Sequence, residues 1–193
     1  MKRFISLFLA FSVIFLISAC GAGGGKVDND AWDELKRLGK IQSENGKDVL
    51  TITLSSDFLG EEITQESLDK NRGREYSSAT LNEDGSVTYK MDKKQHRAML
   101  DDVRESFEKS LRELVESPDF AFADIEHSDD FTVFDARLSS DELGMSESFM
   151  VLSFYLFGET YGILSGHEDQ NVTVNFYSRS GELLETVNSK DLN

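Results

Sequence analysis

The sequence predicts an α+β fold, a single domain of β-hairpins alternating with three helices in the order β-α-ββ-α-ββ-α-ββ, with the third helix buried. Three observations predict it. Paired runs of alternating apolar and polar residues are split by turn-forming clusters. One long stripe of apolar residues recurs at helical spacing. A later segment is apolar on nearly every side, as in a core helix.

Taken in order, the domain opens at Asp48 with Val49-Leu50-Thr51-Ile52-Thr53-Leu54, where Leu50, Ile52 and Leu54 share one strand face. Thr64 is placed as a helix N-cap, with Ile63 and Leu68 spaced as a hydrophobic staple around it. That short helix ends near Asn71-Arg72-Gly73. The runs 76–81 and 86–91 flank Asn82-Glu83-Asp84-Gly85 and read as a hairpin. Asp92 with Gln95 forms a capping-box pattern that opens a second helix. His96, Leu100, Val103, Phe107, Leu111 and Leu114 then make one apolar stripe, which stops before Pro118.

A second hairpin is predicted from the runs 120–127 and 131–138 around Ser128-Asp129-Asp130. Between Met145 and Leu164 lie Phe149, Met150, Val151, Leu152, Phe154, Tyr155, Leu156, Phe157, Tyr161 and Ile163. Glu159 interrupts this stretch and its apolar run is too short for a bilayer, so it reads as a buried helix. A last hairpin pairs 172–176 with 183–187 across Ser178-Arg179-Ser180-Gly181. The helix-then-hairpin unit occurs three times and could mark a repeat. The units share no recognisable sequence, so alternation within one domain is the better reading. A region of about 145 residues buries a core without disulfides.

Three regions are thus expected. Residues 1–19 are an export signal, 20–47 a flexible tether and 48–193 the globular domain. The signal has a basic start at Lys2 and Arg3, an apolar run from Phe4 to Ile17, and a small-residue exit. The tether opens with Gly21-Ala22-Gly23-Gly24-Gly25 and contains Trp32, Leu35 and Leu38, spaced for one short helix.

The exit, Ile17-Ser18-Ala19-Cys20, resembles the lipobox of bacterial lipoproteins. That resemblance implies a diacylglycerol on the Cys20 thiol, cleavage before it, and Cys20 as the new N-terminus. Cys20 is the one cysteine in the chain, so no intramolecular disulfide can form, and lipid attachment would consume a thiol otherwise left spare. Asp84-Gly85-Ser86-Val87-Thr88-Tyr89 through Lys94-Gln95-His96, with Glu147-Ser148-Phe149, resembles small surface lipoproteins of Gram-positive gut clostridia. This implies a location outside the cell membrane, anchored to its outer face, and transfers no catalytic residue.

Charge narrows the partners. With 36 acidic and 20 basic residues the formal charge is −16, and loss of 1–19 removes two bases and no acid, giving −18. Nucleic acid is not expected, because binding it needs basic residues that displace counterions. A polybasic grip on anionic lipid is equally unexpected, which leaves the acyl chains as the membrane contact.

No residue pattern marks catalysis. There is no G-x-S-x-G elbow, and Ser146 and Ser148 near the start of the third helix read as caps. His96, His127 and His167 fall on three different elements and are not expected to ligate metal. The acidic clusters Asp28-Asn29-Asp30 and Ser128-Asp129-Asp130 lack the glycine and distal Glu of a calcium loop, Asn82-Glu83-Asp84-Gly85 has the glycine but fits a hairpin turn equally well, and all three read as solvated turns. No cofactor is implied. The expected function is a lipid-anchored, non-enzymatic binding or interaction module with a protein or cell-wall ligand. The alternatives are a small wall or carbohydrate hydrolase using unmarked carboxylates, and an accessory or immunity-type subunit of a membrane complex. A Cys20→Ala variant is expected to lose incorporation of labelled fatty acid and to accumulate as full-length precursor on gels. Continued acylation and processing of that variant would refute the lipobox reading.

Overall fold

The structure, a computed structural model of the chain, describes residues 44–45, 49–54, 56–59, 63–167 and 170–192. It is mixed α+β with two four-stranded sheets. The chain divides into two compact units, the first ending at Asp102 and the second beginning at Val103.

The first unit contains β1 (Glu44–Asn45), β2 (Leu50–Leu54), α1 (Ser56–Leu59), α2 (Gln65–Asp69), β3 (Ser78–Leu81) and β4 (Val87–Met91). Its sheet runs β1-β2-β4-β3 with every pair antiparallel. Ile52, Leu54, Ala79, Val87, Tyr89 and Met91 alternate with more exposed neighbours and bury one face. Leu50, expected on that face, is half-buried. The expected hairpin forms, and Gly85 supplies the positive φ of 82° that its turn needs.

Thr64 caps α2 in a capping box whose third residue is Ser67, and Leu68 beneath it is buried. The Tyr76 hydroxyl donates to the Leu68 carbonyl, and its ring meets Tyr89 edge-on at 5.1 Å. Burial pushes this phenol up to about 12, so it stays a neutral donor. Gln65 does a strand's work along β3. Its carboxamide donates to the Ala79 carbonyl (3.0 Å) and accepts from the Leu81 N–H (2.9 Å).

α3 (Lys93–Glu116) opens as expected. Asp92 Oδ1 accepts from the N–H groups of Lys94 and Gln95, both at 2.8 Å, and Gln95 Oε1 accepts from the Asp92 N–H. The unit division falls within this helix. Met99 is buried on it, whereas Leu100 and His96 are half-buried, so the stripe begins one residue away from its expected place.

The second unit holds the rest of α3, then β5 (Phe122–His127), β6 (Val133–Leu138), α4 (Met145–Phe149), α5 (Val151–Ser165), β7 (Thr173–Tyr177), β8 (Leu183–Asn188) and a 3₁₀ turn (Ser189–Leu192). Its sheet runs β5-β6-β7-β8. The two outer pairs are the expected hairpins, whereas β6 and β7 are parallel. A parallel pair needs a long crossover, and α4 with α5 provides it.

α5 is buried at Phe154, Tyr155, Leu156, Phe157, Gly158, Thr160, Gly162 and Leu164, in line with the expected core helix. Phe154 meets Phe122 and Phe134 of the sheet, while Phe157 stacks on Phe107 of α3 at 4.5 Å. With a sheet on one side and a helix on another, α5 is apolar on most sides, and its polar residues Ser153, Glu159 and Tyr161 are half-buried. Among the described residues no helix is long and apolar enough to cross a membrane.

Gly158 marks a close approach of α5 to backbone. A Cβ there would lie 2.5 Å from the Phe131 carbonyl oxygen and 2.4 Å from Val172 Cγ2. Backbone cannot yield as a side-chain tip can. Gly158→Ala is therefore expected to cost about 1–3 kcal/mol by overpacking, read as a lower denaturant midpoint. An unchanged midpoint would show that the helix can move away from the 131 loop.

Candidate functional site

The site is built from the turn between β5 and β6. Phe131 is fully buried yet has φ of 57°, a left-handed conformation that strains a bulky residue. Hydroxyls and carboxylate in the turn hold it there. Asp130 Oδ1 accepts from Ser128 Oγ and Thr132 Oγ1, each at 2.7 Å, and from the Thr132 N–H. Ser128 Oγ in turn accepts from the N–H groups of Thr132 and Val133, both at 3.0 Å.

The ring so placed gathers its neighbours. His127 stacks on it at 4.3 Å and 10°, Phe107 meets it edge-on at 5.5 Å, and Tyr161 lies 4.9 Å away. The Arg104 guanidinium sits 5.6 Å over Phe131 and 5.3 Å over Tyr161, and donates to the Tyr161 hydroxyl (2.9 Å) and the Asp129 carbonyl (2.6 Å). Arg104 thus ties α3 to α5 through Tyr161 and to the β5–β6 turn through Asp129. Its role is positional.

What it positions is a groove of about 300 Å³ between α3 and β5. Glu108, Leu111, Arg112, Val115 and Glu116 form the helix wall, and Asp124, Ile125 and His127 the strand wall. Leu111 is buried, and Val115 and Ile125 are half-buried, so the floor is apolar and the rim charged. Among the described residues β5 pairs with β6 alone, so its other side is an open edge.

The polarity of that edge follows from the ladder. Ser128 N–H donates to the Val133 carbonyl, and antiparallel hydrogen bonding alternates, so the backbone groups of Ile125 and His127 point away from β6. Asp124 Oδ1 accepts from the Ile125 N–H at 3.0 Å and so occupies one of them. A β-bulge lies just before it, between Phe122 and Asp124.

The residues singled out by sequence lie mostly elsewhere. Cys20, the signal 1–19, Asp28-Asn29-Asp30 and the Trp32, Leu35, Leu38 segment lie outside the described residues. His96 lies on α3 in the first unit, His127 in the groove wall, and His167 is exposed after α5, its N–H donating to the Gly162 carbonyl. Among the described residues no three His, Cys, Asp or Glu side chains are grouped to hold a metal ion. The acids of two turns serve the turns themselves, Asp130 as above and Asp84 by accepting from Ser86 N–H and Oγ.

Capping by Ser146 and Ser148 is corrected. Gly144 is the N-cap and receives no side-chain cap bond, while Ser148 Oγ donates back to the Gly144 carbonyl at 2.9 Å. The third residue of α4 is Glu147, a buried carboxylate, and its Oε2 fills the space where a Cβ on residue 144 would stand. Its Oε1 accepts from the Ala121 N–H at 2.6 Å, fastening α4 to the entry of β5. No sequence signal separates this acid from the other glutamates.

Comparison with protein-family models, curated proteins and solved structures finds no match for this chain.

The turn carries a pH dependence. The hydroxyls of Ser128 and Thr132 hold the Asp130 carboxyl below the ordinary aspartate range. A depressed folded value adds stability that is complete above the unfolded value, about 4, and is lost as pH falls through the folded one. Acid titration is expected to weaken the near-UV aromatic signal of the wild type across that window. Asp130→Asn should flatten that part of the profile, and an unaltered acid limb would exclude the turn as its source.

Proposed function

We propose that the chain is a lipid-anchored, extracytoplasmic binding module, non-enzymatic, held to the outer face of a membrane through Cys20. The lipobox resemblance and the order of basic start, apolar run and small exit support the anchor. Residues 48–193 act in this reading as one tethered module of hairpins alternating with helices. The helix-then-hairpin order of α2-β3-β4, α3-β5-β6 and α5-β7-β8 supports it.

The observation that carries the binding role is the groove beside β5. It joins an apolar floor, a charged rim and an open strand edge, the combination by which ligands are oriented as well as held. The ligand is a peptide or a cell-wall fragment.

The full chain in detergent, mixed with soluble cell-wall glycan fragments and with synthetic peptides, is expected to retain one class and return it chemically unchanged. Filling the groove by Val115→Trp should abolish retention. Release of cleaved products would replace this reading with that of a hydrolase. Retention indifferent to Val115→Trp would remove the groove as the ligand site.

A further inference from the structure

We infer that the groove takes an extended cationic peptide, which adds to the sheet as a new strand beside β5. The inference rests on the binding role proposed above and names the ligand's chemistry. The edge supplies the first requirement, since the Ile125 carbonyl and both backbone groups of His127 point to the open side. A strand paired there would drop alternate side chains onto Leu111, Val115 and Ile125.

Charge selects the peptide. Arg112 lies 4.0 Å from Glu108, so these two charges largely offset one another. Among the described residues Glu116 and Asp124 make no ion pair, and both are exposed on the rim. Glu116 is also the last residue of α3, and no basic residue occupies that helix's final turn. The carbonyl end of a helix carries partial negative charge that lysine or arginine commonly balances. Here the two acids and the helix end reinforce one another, on a chain whose formal charge is −16. The complement is a strand that alternates lysine or arginine with apolar residues.

Asp124 sets how the strand enters. Its hold on the Ile125 N–H blunts the edge, as side chains do on native edge strands, so an incoming strand must supply enough contacts to compete. A cationic strand does so by pairing with the same carboxylate that guards the edge.

The test uses the full chain in detergent and the fluorescently labelled peptide Lys-Val-Lys-Val-Lys-Val, read by anisotropy. Glu-Val-Glu-Val-Glu-Val is expected not to bind. Two versions of the lysine peptide, N-methylated on one or the other set of alternate residues, keep charge and apolar surface but lose backbone donors. One of the two is expected to lose binding. The double reversal Glu116→Lys with Asp124→Lys, both exposed, should weaken the lysine peptide roughly tenfold with an unchanged circular dichroism spectrum. Equal binding of all three lysine peptides, or binding unaffected by the reversal, would overturn the inference. So would absence of lysine-peptide binding by a chain that still retains wall fragments in a Val115→Trp-sensitive manner, an outcome that leaves the general binding role standing.

Discussion

The second unit depends on one close approach, that of the Phe131 backbone to Gly158. A fully buried aromatic residue in a left-handed conformation is costly by itself. It persists because three polar side chains, Ser128, Asp130 and Thr132, over-determine the turn. Gly158 lets α5 come against that turn without a Cβ between them. Once the turn is set, the ring of Phe131 fixes His127, Phe107 and Tyr161, and with them the spacing of α3 and β5. The groove is the space that remains.

Much of the fold was legible because local chemistry and tertiary structure agree. Thr64, the Asp92–Gln95 box, Gly85 and the three hairpins are short-range features whose cause lies within a few residues of their effect. The parallel register of β6 and β7 is of another kind. It depends on where the chain returns after residues 139–172, and an alternating strand pattern reads the same for either direction. The break at Met150 between α4 and α5 was also hidden, since helical φ and ψ persist through it.

The groove was illegible for a similar reason. Leu111 belongs to an expected core stripe and Ile125 to an expected strand, and each is accounted for without a ligand. Only the sheet order makes β5 an edge, and only that edge turns two ordinary faces into a cleft. Met99, four residues before Val103, is buried where Leu100, three before it, is half-buried, and both spacings lie on one helix face. Serine near α4 suggested capping, and the space was instead taken by Glu147, whose partner Ala121 lies 26 residues away.

Two side chains, Gln65 of α2 and Asp124 of β5, cover outer strands of the two sheets and treat them differently. The Gln65 carboxamide meets both a donor and an acceptor of β3, imitating a peptide unit, so a competing strand there would gain little. Asp124 covers a single donor of β5. At high local concentration, free strand edges are where copies of one protein join into polymers. The β3 edge is covered by mimicry, and the β5 edge by a lone carboxylate whose negative charge also repels its own kind. The β5 edge is thus guarded by charge rather than by shape.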